Sequence, residues 1–268
     1  MKKFSQIKVK TPNIENIKTK LLPLIEELKN GKDFDECDKA FKKFNKAFDD
    51  LNTDSSIIYV RYTINTQDKK YKKLQETMDE ISPYISQICN EFNIAMVNSK
   101  FRSDFEKKYG DHLFKMIETS LKCFDEKMIP ELHEINKLTS EYTTLVASSQ
   151  LEYKGQTYTL TQLGKFSESL DRNERKKVAQ LSASFFEEND AKIGEIYDKL
   201  VKLRTSIAHK LGFSSFIELG YLMLGRTDYD AKMVENYREQ IKKDLVPFTQ
   251  KLFKRQAKRL HLKNPQYY

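Results

Sequence analysis

The sequence predicts a mainly all-α fold, a multi-helix elongated bundle that carries one β-hairpin near residues 149–160. Two observations predict it. Apolar residues recur three or four positions apart over most of the chain, which is the spacing of one helix face. The 268 residues include only 8 Gly and 6 Pro, which is too few turn-forming residues for a many-stranded sheet protein.

The first helices have recognisable ends. Asn13 can cap a helix that stops at Gly31, and a second helix is predicted over residues 34–51. A third, long helix is predicted from 67 to 98. The β-branched residues at 57–64 suggest a strand, but their helical neighbours favour a helix.

Capping boxes mark three further helix starts. In such a box the first side chain accepts a hydrogen bond from a first-turn amide, and the acidic side chain three residues later reaches back to the amide of the first residue. The three pairs are Ser103 with Glu106, Asp171 with Glu174, and Ser215 with Glu218.

Residues 149–160 break the helical pattern. Strand-forming residues stand at every second position on both sides of Lys154-Gly155, at Leu151 and Tyr153 before it and at Thr157 and Thr159 after it. Glycine can supply the positive φ of a tight turn, so the segment predicts a hairpin. A new helix is predicted to begin at Thr159 and Gln162, directly after the hairpin.

Long amphipathic helices are predicted after the hairpin. Two lie within residues 172–211, and the last runs from 231 to 260 with a bend at Pro247. Its apolar stripe consists of Val234, Tyr237, Ile241, Leu245, Phe248 and Leu252. The pattern as a whole predicts an N-terminal helical domain at 1–125 and a helical segment with the hairpin at 126–268.

The cysteines and the start of the chain predict a cytoplasmic protein. Cys37, Cys89 and Cys123 are odd in number and far apart, which fits neither a disulfide framework nor a CxxC site. The basic start does not lead into an apolar run, so no secretory signal is expected. No stretch reaches the length of a membrane span, and no membrane partner is expected.

The charge of the chain raises nucleic acid as a possible partner. The net charge is +8 and the mean hydropathy is −0.68. The densest basic patch lies on the last helix, but aromatic residues are not interleaved with it as a base-stacking surface would need. Nucleic acid is therefore not expected as a partner.

One motif begins like a zinc site and does not continue. A zinc peptidase needs two histidines one helical turn apart with a glutamate beside the first. His133-Glu134 provides the start, but the second position is Lys137, whose ammonium group repels a divalent cation. The sequence predicts no catalytic residue, no metal ligand and no cofactor in this chain.

Several blocks of sequence resemble one family. The stretch from Tyr221 to Tyr229 resembles a segment of oligoendopeptidase F and its clostridial and bacillary relatives, which are thimet-oligopeptidase-like zinc metallopeptidases. Leu163-Gly164-Lys165-Phe166 near the hairpin and the ending at Tyr267-Tyr268 are similar to the same family.

The resemblance implies a helical shell around a channel that admits short peptides. The zinc of the full-length family is held by a His-Glu-x-x-His helix and a later Glu, all of which would follow Tyr268. The chain is thus expected to form the N-terminal, channel-forming part of a cytoplasmic zinc metalloendopeptidase. It is expected to be inactive alone and to need the missing C-terminal catalytic half or a split-gene partner. Arg226 and Tyr229 are its candidate channel residues.

A second hypothesis remains open from the sequence. The chain could be a non-catalytic helical scaffold that binds proteins or, weakly, RNA. A downstream reading frame that encodes His-Glu-x-x-His would favour the peptidase, whereas a salt-sensitive RNA complex would favour the scaffold.

Overall fold

The computed structural model confirms the mainly all-α fold and the hairpin. It describes residues 3–263, 265, 266 and 268, so Met1, Lys2, Asn264 and Tyr267 lie outside the described residues. The α-helices are α1 (Ile14–Asn30), α2 (Phe34–Ile64), α3 (Lys69–Val97), α4 (Arg102–Tyr109), α5 (His112–Leu121), α6 (Ile129–Ala147), α7 (Leu160–Leu163), α8 (Arg172–Glu188), α9 (Asp190–Lys210), α10 (Phe216–Met223), α11 (Ala231–Gln240) and α12 (Val246–Arg259). The strands are β1 (Leu151–Tyr153) and β2 (Gln156–Tyr158).

The predicted ends of α1 are confirmed, and α2 is longer than predicted. The side chain of Asn13 accepts a 2.9 Å hydrogen bond from the amide of Asn16, and the helix ends at Gly31. Helix α2 continues without a break through residues 57–64. Ile58 and Tyr62 are buried there, so packing of a helical face outweighs the strand preference of the β-branched residues.

The capping boxes were only partly correct. Ser103 does not start a helix, because α4 already begins at Arg102 after an uncapped Phe101. Asp171 does cap α8 by accepting a 2.9 Å hydrogen bond from the amide of Asn173, but Glu174 does not complete the box.

The third box also fails in detail. Ser215 directly precedes α10, yet its side chain makes no capping hydrogen bond, and Glu218 accepts one of 3.1 Å from Ser214 instead. A complete box forms at the predicted helix restart, where Thr159 and Gln162 each bond to the amide of the other.

The hairpin turns at Lys154 and Gly155, whose φ angles are 52° and 75°. Two positive φ values are the signature of a type I′ turn, which suits the twist of paired strands. Glu174 of α8 holds the hairpin by accepting a 3.1 Å hydrogen bond from Tyr153 and by an ion pair with Lys154. This use of its carboxylate explains why Glu174 does not serve the helix cap.

The main apolar core lies among α1 to α5. It contains the stacked rings of Phe44 and Phe92, whose centroids lie 3.8 Å apart, and the fully buried Phe105. Further apolar clusters lie where α6, α9 and α10 meet and beneath the hairpin. None of the described helices is both long enough and apolar enough to cross a membrane.

The last predicted helix forms, but its stripe is not buried. A π-helical stretch, Ile241–Leu245, joins α11 to α12 just before Pro247. Proline has no amide hydrogen to donate to the preceding turn, and a π bulge is one way to accommodate that gap. No residue from Ala231 to Arg259 is buried, because no other described element packs extensively against this segment.

Candidate functional site

A polar groove of about 820 Å³ runs along the seam between α3 and α6. Tyr62 of α2 and Lys192 of α9 also line it. Tyr62 also ties the helices together, since its hydroxyl lies 2.6 Å from Oγ1 of Thr144. The groove is lined by charges of both signs and by hydroxyl groups, so it is suited to polar ligands.

Asp79 lines this groove and is partly buried. Its carboxylate accepts a 2.8 Å hydrogen bond from Gln75 and one of 2.5 Å from Ser140 of α6. Burial raises the pKa of Asp79 above its usual value, although both hydrogen bonds oppose the rise. Asn136 donates to the backbone oxygen of the same residue at 2.9 Å.

The interrupted zinc motif lies at the groove. His133, Glu134 and Lys137 all line the groove. The His133 ring is tilted against the ring of Tyr84, with centroids 5.6 Å apart. Within the part of the chain that the structure describes, no three His, Cys, Asp or Glu side chains converge on a point that could hold a metal ion.

Arg226 and Tyr229 do lie together, in the turn between α10 and α11. The guanidinium carbon of Arg226 lies over two rings, 4.2 Å from the centroid of Tyr221 and 5.6 Å from that of Tyr229. Contacts of this kind hold a cation without neutralising it.

The backbone of this turn is fixed by the end of α10. The amide of Arg226 donates to the carbonyl of Tyr221 at 3.3 Å, and that of Gly225 donates to Leu222 at 2.8 Å. Gly225 has a φ of 64°, as the left-handed residue of such a helix end requires. A Cβ atom at this position would lie 2.9 Å from Cε of Met116 on α5. Glycine therefore lets the turn pack closely against α5.

A cavity of about 390 Å³ lies beside the same turn. It is lined mainly by apolar and sulfur-bearing side chains of α5 and α10 together with Gly225, the residue before Arg226. Among its lining residues are Met116, Leu222, Met223 and Leu224. The turn thus places the backbone next to Arg226 beside a cavity whose lining is mainly apolar and also includes Thr119 and Ser120.

The long segment of α11 and α12 exposes a series of large apolar side chains. Their exposed fractions reach 64% at Tyr237 and 65% at Phe253. Single exposed apolar residues are common on proteins, but an uncovered row along one helix is typical of an interface.

Comparison with known families and solved structures shows which proteins this chain is similar to. The sequence profile of the peptidase M3 N-terminal domain matches residues 4–124. PZ peptidase A, solved with an inhibitor, is 42% identical over 99% of this chain, with a TM-score of 0.94. The chain is similar over nearly its whole length to the N-terminal portion of M3 peptidases. The resemblance to oligoendopeptidase F is thereby confirmed.

Two further solved structures are similar to this chain in sequence and fold. An oligoendopeptidase F solved at 3.1 Å is 38% identical over 99% of this chain with a TM-score of 0.94. An oligoendopeptidase F from Bacillus anthracis str. Ames is 38% identical over 98%, with a TM-score of 0.92. Comparison with curated proteins finds no significant match.

The chain corresponds to the N-terminal portion of these M3 peptidases. It spans 47% of the PZ peptidase A chain and 48% of the B. anthracis protein. The prediction that it matches only the front part of the family is confirmed.

Sequence reasoning did not find the groove at Asp79. The pair Gln75 and Asp79 is spaced four residues apart, which places both on one helix face beside the buried Leu74 and Met78. These polar residues beside an apolar helix face could have indicated a polar site on α3. Nothing in the sequence indicates that Ser140 would meet Asp79, because the pairing of α3 with α6 depends on the tertiary fold.

Proposed function

We propose that the chain forms the peptide-channel wall of a cytoplasmic zinc metalloendopeptidase that acts on short peptides. One observation carries the proposal, namely 42% identity to PZ peptidase A over 99% of this chain with a TM-score of 0.94. The M3 family is zinc-dependent in general. The role of this chain is to restrict access and to hold the peptide, a contribution through proximity rather than through bond chemistry.

Zinc and its chemistry belong to the catalytic portion in this proposal. A bound zinc ion would activate water for attack on the peptide bond. Lys137, one turn after His133, disqualifies the groove on α6 as its site. The chain by itself is therefore inactive.

Arg226 and Tyr229 are the proposed channel residues. Support comes from the cation held over two tyrosine rings, which combines a charge with aromatic surface at the end of α10. Such a pairing suits the mixed polar and apolar character of a peptide.

The exposed face of α11 and α12 is proposed to pack against the catalytic portion. Its uncovered residues include Tyr237, Phe248, Leu252 and Phe253. The relatives are about twice as long as this chain, so they contain enough further polypeptide to cover it. Two helical units, 1–125 and 126–268, remain the proposed domain division, in keeping with the main core lying among α1 to α5.

A reducing compartment is proposed from the thiols. Cys37, Cys89 and Cys123 are all free, and Cys37 is buried with its thiol directed at the carbonyl of Leu28, 3.4 Å away. Burial raises the pKa of Cys89 to about 12, which keeps it protonated and unreactive.

Reconstitution tests the proposal. The 268-residue chain is purified alone and also mixed with the part of PZ peptidase A that it does not span, and cleavage of a quenched fluorescent pentapeptide is followed. Activity is expected only in the mixture, and a zinc chelator should abolish it. Chelator-sensitive cleavage by the chain alone, or a mixture that neither associates nor cleaves, would contradict the proposal. An Arg226→Met mixture and a matched Arg238→Met mixture test whether Arg226 affects KM.

A further inference from the structure

We infer that Arg226 and the cavity beside it bind the C-terminal residue of a peptide, with the guanidinium taking its carboxylate and the cavity taking an apolar side chain. The inference rests on the proposed function and names the end of the substrate that this chain recognises.

The first step is the state of the guanidinium. The tyrosine rings contact its π face, while no hydrogen bond or ion pair joins its N–H groups to the residues that the structure describes. Asp230, four residues further along the chain, caps α11 by accepting a 2.8 Å hydrogen bond from the amide of Met233. The N–H edge of Arg226 is thus left for a ligand.

Other arginines in the fold show what a structural role looks like. Arg61 also lies over aromatic rings, but it donates to the Tyr71 hydroxyl and to the carbonyls of Phe4 and Ile7 at 2.6–2.7 Å. Arg102 pairs with Glu106 and Glu118 at 2.9 and 2.8 Å. Arg226 shares their aromatic contacts, but no such acceptor for its guanidinium occurs among the residues that the structure describes.

The second step is the chemistry of the missing partner. A planar guanidinium offers two parallel N–H donors, which match the two oxygens of a carboxylate. A partly buried position beside tyrosine rings strengthens this pairing compared with open solvent.

The third step is the cavity. It adjoins Arg226 through Gly225 and has a volume of about 390 Å³, with walls from Met116, Leu222 and Leu224. Flexible methionine side chains adapt to apolar groups of different shape. Because Gly225 lines the cavity and directly precedes Arg226, the proposed ligand would direct its C-terminal side chain to these walls, which favours a residue such as leucine over an acidic one.

Binding to the 268-residue chain tests the inference without any cleavage assay. The probes are Ala-Ala-Ala-Leu with a free C-terminal carboxylate, its C-terminal amide, and Ala-Ala-Ala-Asp. The free acid is expected to bind about tenfold more tightly than the amide, because one charge-assisted hydrogen bond contributes binding free energy of about that size. Leucine should be favoured over aspartate. Chemical shifts of the Met116 and Met223 methyl groups should move with the leucine peptide.

Variants separate this role from a structural one. Arg226→Met should remove the preference for the acid, Arg226→Lys should keep part of it, and the exposed Arg238→Met should leave it unchanged. Unfolding midpoints verify that each variant is folded. If Arg226→Met does not fold, Arg226→Lys is used in its place to test the acid preference.

Three results would overturn the inference. They are equal affinity for acid and amide, undetectable binding of both at millimolar peptide, and an acid preference that persists in Arg226→Met. Active reconstituted enzyme together with any of these would leave the channel proposal standing and remove only the C-terminal recognition.

Discussion

Tyr109 of α4 donates a hydrogen bond of 2.5 Å to the buried carboxylate of Asp38 on α2. Lys42 and Lys108 also pair with this carboxylate, at 2.7 and 2.8 Å. Burial alone would raise the pKa of Asp38, but the hydrogen bonds from Lys108, Lys42 and Tyr109 outweigh it and lower the pKa to about 2. The cluster thus stabilises the ionised form and joins α2 to α4.

Asp38→Asn should destabilise the protein by about 2–3 kcal/mol at pH 7, because it removes a buried charge from two lysines. The carboxylate has a lowered pKa in the folded state, so its contribution is complete above the unfolded value of about 4 and is lost as the pH falls toward 2. Urea unfolding at several pH values measures the difference between wild type and variant.

The matched control for this prediction is Asp50→Asn. Asp50 pairs with Lys46 on the exposed face of the same helix, where solvent screens the pair, so its replacement should change stability little. Equal effects of the two substitutions would contradict the buried cluster.

Asp79→Asn should have the opposite pH signature. Burial raises the pKa of Asp79, so the ionised form is the unfavourable one in the folded state. The contribution of this group to stability is greatest below about pH 4 and is lost as the pH rises through the raised pKa. An asparagine keeps a partner for Ser140 and Gln75, so it should be neutral or stabilising by up to about 1 kcal/mol at pH 7.

Thermal unfolding between pH 4 and pH 7 measures this effect. Glu80→Gln is the control, because Glu80 is an exposed residue of the same helix and groove. The prediction is contradicted if Asp79→Asn loses more stability at pH 7 than Glu80→Gln does. That result would show that the ionised carboxylate of Asp79 stabilises the packing of α3 against α6.

Gly225→Ala should destabilise the protein by about 1–2 kcal/mol, since an L residue at positive φ is strained. The added Cβ atom would also displace Met116, 2.9 Å away. The control is Gly194→Ala within α9, where nothing lies within 4 Å of the added atom and φ is not positive. That change should stabilise by about 0.5–1 kcal/mol. Chemical unfolding of the pair gives the result, and a shared sign would refute the argument.

The sequence predicted local structure well where the signal was local. Asn13, Gly31 and the turn at Lys154-Gly155 were predicted correctly, because each depends on one or two residues and their own backbone. The helix start at Ser215 was predicted correctly, but its capping box does not form because Glu218 takes a different partner, and the start at Ser103 was wrong because α4 begins earlier. Competing hydrogen bonds of this kind become visible only once the tertiary fold is known.

The candidate site was predictable only in part. Arg226 and Tyr229 are close in sequence, so their proximity followed from the turn. Tyr221 as the nearer ring, and Met116 as the neighbour across the turn, depend on the ending of α10 and on its packing against α5. The last helix shows the converse, because an apolar stripe predicts a buried face but does not say which polypeptide covers it.

Phe253 provides the sharpest test of that uncovered stripe. It is 65% exposed, whereas Phe105 in the core is 0% exposed, so the same substitution should have very different results at the two positions. Phe105→Ala should cost about 3–5 kcal/mol and Phe253→Ala less than about 0.5 kcal/mol in the isolated chain. Phe253→Ala should instead lower the binding of an apolar dye and weaken association with the catalytic portion of PZ peptidase A, measured by titration. If Phe253→Ala leaves association unchanged while the wild-type chain binds, the helix does not lie in the interface; if it unfolds the isolated chain, the helix is held by contacts within the chain.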